Sequence, residues 1–200
     1  MDITTALQLA DWRSEVARLY AEVREIGPGP DAWDEWREGK ETLYRTHPQS
    51  PVPPGRRGDA GVFPCFPYDA AMNVLAEVEP ADAVHRTGDD VVPSMTRFAT
   101  LHFDLGGAPQ RLDAFWLDGY AGGLFVPFTD LTSGTQTYGG GRYILDTAKG
   151  ADLGTVRGRL VLDFNFAYAP SCAHDPRWVC PLAGLGSRLD VAVRAGEMGP

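Results

Sequence analysis

The sequence predicts a mainly β, α+β protein: an antiparallel barrel-like or sandwich domain with an N-terminal helical appendage. Three observations carry this. Short runs of alternating apolar and polar residues fill the chain from about Gly61 onward. Turns bearing glycine or proline separate them, and two stretches of helical period precede a proline-rich connector. Strands that follow one another without intervening helices belong to an antiparallel sheet.

Each element has its own signal. Within residues 5–26, Leu9, Trp12, Val16, Leu19, Tyr20, Val23 and Ile26 recur three or four apart, the face of an amphipathic helix. Thr4 or Thr5 is expected to cap its start, and GPGP at 27–30 ends it. Asp31 is the expected cap of a second helix, which carries Trp33, Trp36, Leu43 and Tyr44 and runs to about Arg45. These helices make up a segment 1–46. HPQSPVPPGRRGD at 47–59 has no periodicity, so 47–60 reads as a connector and 61–200 as the β-rich domain.

Strands are expected at 72–79, 96–105, 110–118, 122–128, 141–147, 158–168 and 188–194. The turns TGDD, GGAP, GYAGG, SGTQ and KGAD separate them. The clearest strand puts Leu160, Leu162, Phe164 and Phe166 on one face. Its other face offers Asp163 and Asn165 to water or to a polar pocket.

Composition bounds the partners. The 200 residues are 44% hydrophobic and 22% charged, enough to bury one proper core. A net charge of −9 repels phosphates and anionic headgroups, so neither nucleic acid nor membrane is an expected partner. MDITTALQLADWRSEV is broken by charge and reads as neither a signal peptide nor a span. A cytoplasmic location is the expectation. Three cysteines, Cys65, Cys172 and Cys180, then argue for free thiols, with a Cys172–Cys180 pair as the alternative.

The segment TSGTQTYGGGRY at 132–143 is the most chemically loaded in the chain. Its glycines permit close backbone approach, and Arg142 is a fixed planar cation suited to a carboxylate or phosphate. One reading makes it an anion-recognition loop on a barrel rim, with Thr132, Thr137 and Tyr138 contributing. The structural alternative is a β-bulge with Arg142 paired to Asp130 or Asp163. No lysine follows the glycines and a strand rather than a helix comes next, so this is not a phosphate-binding P-loop.

Asp130, Asp163 and Glu197 are the candidate carboxylates for acid–base work. Cys172, His174 and Cys180 in CAHDPRWVC, and His102 with Asp104, have metal-ligand chemistry, but neither set has a zinc spacing or a full ligand count. No metal and no cofactor is therefore expected.

The runs FVPFTDLTSGTQTYGGGRYILD, LVLDFNFAYAPSCAHDPRWVCPLA and RLDVAVRAGE, with FPYDAAMNVLAEVEPA at 66–81, resemble the bacterial family called domain of unknown function 1684. The resemblance spans about residues 63 to 197 and implies a β-rich fold with no established activity. The motif positions it carries over include Asp130, Thr132, Thr137, Tyr138, Arg142, Asp163, Asn165, Tyr168, Cys172, Cys180 and Glu197. The chain departs from the family pattern at Gln136, at Ala169 and over 183–189.

The leading expectation is a small, anionic ligand in a β-barrel pocket rimmed by Arg142, Thr132, Thr137, Tyr138, Asp163, Asn165 and Tyr168, with Asp163 and Asn165 orienting Arg142 or the ligand. The second is a hydrolase or lyase with Asp130 or Asp163 as general base. The third is a structural module in which tryptophans exposed on the helices form a homodimer face.

Overall fold

The computed structural model describes residues 2–59, 61–88, 92–120 and 122–199. Of the expected turns, Asp89 and Asp90 in TGDD and Ala121 in GYAGG lie outside the described residues.

Two antiparallel-packed helices lead the chain: α1, Ile3–Ile26, and α2, Pro30–Thr46. The cap of α1 is Asp2, not Thr4 or Thr5. Its carboxylate accepts the Thr5 N–H at 3.0 Å and the Thr5 hydroxyl at 2.6 Å, satisfying a donor that the first turn leaves free. Nor does Asp31 cap α2. Pro30 occupies the first helical position, where its fixed φ fits and its missing N–H costs nothing, leaving Asp31 inside the first turn.

Seven strands follow: β1 Asn73–Arg86, β2 Met95–Leu105, β3 Ala108–Leu117, β4 Gly123–Phe128, β5 Arg142–Asp146, β6 Thr155–Val156 and β7 Arg159–Asp163. They form one antiparallel sheet in the order β5-β4-β3-β2-β1-β7-β6. The sheet curls into a half-barrel. After β7 the chain returns to the far edge, where Tyr143 and Tyr168 exchange backbone hydrogen bonds at 2.8 and 3.1 Å. That bridge brings the two ends of the sheet toward each other.

Two expected strands are corrected. The 158–168 run stops at Asp163 because the Asp163 carboxylate accepts the Asn165 N–H at 3.0 Å and folds Phe164–Phe166 into a 3-10 turn. The 188–194 run is irregular; it touches the sheet through the Thr129–Arg188 bridge, and its Val193 carbonyl is used by a side chain instead.

The core has two parts. Inside the curl lie Leu101, Phe103, Leu112, Phe128 and Phe164. Between the helices and the sheet lie Tyr20, Trp36, Phe115, Phe125, Tyr143 and Phe166. Trp36 is fully buried and meets Phe63 and Phe166 edge-on, with centroids 5.2 and 5.4 Å away. Trp12 and Trp33 pack against this same cluster. The helix tryptophans thus serve the chain's own core, because sheet and helices each have one apolar face to cover.

Candidate functional site

The glycine-rich loop closes on itself. The Thr132 carbonyl accepts the N–H groups of Thr135, Gln136 and Thr137 at 3.1, 2.9 and 3.1 Å. The Thr132 hydroxyl donates to Asp130 Oδ1 at 2.6 Å and lies 3.0 Å from the Thr137 hydroxyl. Asp130 Oδ1 also accepts the N–H groups of Thr132 and Val193. Gly141 sits at φ 93°, and any side chain there would run into the Phe128 carbonyl.

Arg142 follows, and its side chain is 1% exposed. One Nη donates to Asp130 Oδ2 at 3.0 Å and to the Val193 carbonyl at 2.8 Å. The other donates to the carbonyls of Ala195 and of Glu197. The Phe128 ring lies against the guanidinium. Burial pushes the Arg142 pKa down and the Asp130 carboxylate opposes that shift. Four protein acceptors therefore hold this cation, which clamps the irregular 193–197 segment to β5. Of the two readings of the loop, the geometry is that of the Arg142–Asp130 ion pair.

Asp163 and Asn165 form a separate constellation. The Asn165 amide donates to the Asp69 carbonyl at 2.8 Å and to Asp163 Oδ1 at 2.7 Å, and its oxygen accepts the Asp69 N–H at 2.9 Å. Asn165 is thereby fully used in pinning the 66–72 segment. Asp163 is different. Its Oδ2 is buried and has no aligned hydrogen bond, although Asn73, opposite it in the β1–β7 ladder, is near enough to favour its charge. Burial raises the Asp163 pKa against the opposing bonds from Asn165.

Asp163 lines a cavity of about 530 Å³ between the helices and strands β1, β6 and β7. Val23, Leu75, Val161 and Phe166 form much of its wall. Arg24 stands at its side, committed to the Asp152 carbonyl at 2.7 Å. Arg142 does not line this cavity, and its side chain bonds to Asp130, Val193, Ala195 and Glu197 whereas that of Asn165 bonds to Asp69 and Asp163.

A family profile described as "Protein of unknown function (DUF1684)" matches residues 61–198. The chain belongs to the DUF1684 family. It is also similar to the solution NMR structure of an uncharacterized protein of Haloarcula marismortui, at 36% identity and a TM-score of 0.59, over 81% of this chain and 89% of that one. Among curated proteins none matches.

The remaining DUF1684 motif positions fall elsewhere. Tyr168 is buried, and its hydroxyl points to Asp146 Oδ2 at 3.4 Å, which Lys149 also holds at 2.7 Å. Tyr138 is half-buried beside Cys172, and with Thr137 it lines a shallow cleft reaching Met198 and Gly199. Glu197 is fully buried. Its Oε2 accepts the Ala169 N–H at 2.6 Å, and its Oε1 lies 3.0 Å from His174 Nε2. That second contact is off the line of a hydrogen bond. His174 thus faces Glu197. His102 pairs with Glu79 at 2.8 Å on the surface. Among the described residues no group of three or more His, Cys, Asp or Glu side chains is arranged to hold a metal. No helix among them is long and apolar enough to cross a membrane.

The sequence reading missed Lys40. It is buried on α2, with its ammonium 4.3 Å from the Tyr168 ring, 4.8 Å from Tyr44 and 5.7 Å from Phe63. Burial lowers its pKa to about 8 against the pull of Glu197. The signal was available: Lys40 lies four residues from both Trp36 and Tyr44, on the stripe that turns inward.

Proposed function

We propose that this DUF1684 protein binds a small, largely apolar molecule in the cavity between the helices and β1, β6 and β7. The ligand presents one hydrogen-bond donor, an amine or a hydroxyl, to Asp163. One observation carries this reading: Asp163, whose buried Oδ2 has no aligned partner, lines an otherwise mostly apolar space. Leaving such an oxygen unpaired costs about 1–3 kcal/mol, which a donating ligand recovers. An apolar wall with few polar anchors is the usual composition of a small-molecule site.

The expected anionic ligand gives way to a neutral or cationic one. Both Nη atoms of the guanidinium that would have held an anion are taken by protein acceptors, with only its buried Nε unbonded, and the side chain with an unaligned oxygen that lines the cavity is a carboxylate.

The test is a thermal-shift panel of short alkyl and aryl amines, alcohols and carboxylates. Amines or alcohols are expected to stabilise the wild type, and carboxylates to have no effect. Val161→Phe, which fills the cavity, is expected to abolish the shift. Stabilisation by carboxylates, or shifts that survive Val161→Phe unchanged, would contradict the assignment.

The same unaligned oxygen, with a pKa raised by burial, favours a second reading in which Asp163 is a general base. That reading rests on Asp163 alone, because both Asp130 oxygens are saturated. It requires turnover that collapses in Asp163→Asn while the fold persists.

A further inference from the structure

We propose that Cys172 and Cys180 form a reversible redox site, closing into an intramolecular disulfide by exchange with a low-molecular-weight disulfide such as glutathione disulfide. The site spans the 3-10 turn Ser171–Ala173, which holds Cys172, and the loop that follows it, which holds Cys180; neither cysteine lines the Asp163 cavity.

Three observations converge on it. The Cys172 N–H donates to Cys180 Sγ at 3.4 Å. A cysteine's own sulfur never lies far from its backbone nitrogen, so the two sulfurs are neighbours. Both residues are half-buried free thiols, reachable by a small reagent. The segment joining them also has no sheet ladder to break, since after the 3-10 turn Ser171–Ala173 residues 174–179 contain neither helix nor strand. The approach of two cysteines is what bridging demands, and an irregular loop can supply the remaining adjustment.

The electrostatics agree with proximity. Burial, then the neighbouring Cys180 thiol, pushes Cys172 up to about 11. The Tyr138 hydroxyl, 3.9 Å from Cys172 Sγ, faces the same sulfur from the glycine-rich loop. Cys65 differs on each count. It sits beside the Phe63 carbonyl, with no hydrogen bond to another cysteine among the described residues, and burial pushes its pKa far up. It serves as the internal control.

The chemistry balances. One protein thiolate attacks a sulfur of the small disulfide, forms a mixed disulfide and expels one small thiolate. The second protein thiolate attacks the protein sulfur of that mixed disulfide and expels the other. Two protein thiols are oxidised, one small disulfide is reduced to two thiols, and the two protons end on the released thiols. The bridge would fix a loop whose next residue, Pro181, already accepts the Tyr143 hydroxyl at 2.6 Å. It would also draw Cys172 Sγ from Tyr138, whose ring lines the cleft with Thr137 and Met198.

The experiment equilibrates the full-length protein with graded ratios of oxidised to reduced glutathione, quenches with a thiol-alkylating reagent and reads intact mass. The expected oxidised product has lost two hydrogen masses and takes up one alkyl group instead of three, with the cross-link mapping to Cys172 and Cys180. Cys65→Ser is expected to bridge at the same ratio as the wild type. Cys180→Ser is expected to stop at a glutathione adduct on Cys172, and Cys172→Ser at one on Cys180. If all three thiols stay alkylatable at the most oxidising ratio, the proposal fails. It fails equally if the product is a stable glutathione adduct of the wild type, a covalent dimer, or a bridge that includes Cys65.

Discussion

Replacing Lys40 with methionine should make the protein more stable at neutral pH, and the size of the gain follows from the site. The substitution keeps an unbranched apolar stem among Tyr44, Phe63 and Tyr168 and removes the ammonium. A fall from the ordinary 10.5 to about 8 corresponds to roughly 3 kcal/mol of penalty for holding the charge inside. The methionine forfeits cation–π attraction of about 0.5–2 kcal/mol, so the net gain at pH 7 is about 1–2 kcal/mol. The sign of the pH dependence is fixed. Between about 8 and 10.5 the unfolded chain holds the Lys40 proton and the folded chain has lost it, so wild-type stability rises with pH across that window. Below it the penalty is present in full. Lys40→Met removes this contribution, so the stability difference between variant and wild type shrinks from pH 8 to 10.5. Urea denaturation of both proteins at pH 7, 8, 9 and 10 measures it. A variant no more stable than wild type at pH 7, with a difference that stays flat with pH, would refute the reasoning.

Other outcomes follow from the geometry. Arg142→Met leaves the Asp130 carboxylate buried without its cation and should cost roughly 3–5 kcal/mol in urea denaturation; adding Asp130→Asn should recover part of that loss. Gly141→Ala forces a side chain into left-handed backbone against the Phe128 carbonyl and should cost at least about 1–2 kcal/mol, whereas Gly139→Ala should stay within about 0.5 kcal/mol. Trp36→Ala opens the core between helices and sheet and should cost about 3–5 kcal/mol, read as a lowered urea midpoint.

The strands were legible where a long run alternates, as in β2 and β3, whose observed bounds differ from the expected ones by no more than two residues despite the register shift at Arg97/Ala99. They were not legible where a side chain redirects the backbone. The alternation of 159–167 continues through Phe164 and Phe166, yet the Asp163 carboxylate turns the chain, because a bond to the Asn165 N–H two residues on competes with the ladder. β6, only Thr155–Val156, is too short to show a period. At the site, the residue types were legible but their directions were not. Arg142 faces inward because the carbonyls of 193, 195 and 197 meet it, a long-range fact that no local pattern carries. Lys40 was passed over because a lysine on a helix is ordinarily solvated, even on a stripe with Trp36 and Tyr44. Asp163 was identified as a residue of interest, but the apolar space beside it arises from helices more than a hundred residues away in sequence.

The most direct measurement is a titration of isotopically methyl-labelled protein with a short alkyl amine, following the methyl signals of Val23, Leu75, Val161 and Leu153, the last of which also lines the cavity. The account predicts that these four shift together and saturate, that Val161→Phe removes the response, and that Asp163→Leu weakens it for the amine but not for the matching alkane. Methyl signals that stay fixed across the amine and alcohol series, or that move equally in Val161→Phe, would contradict it.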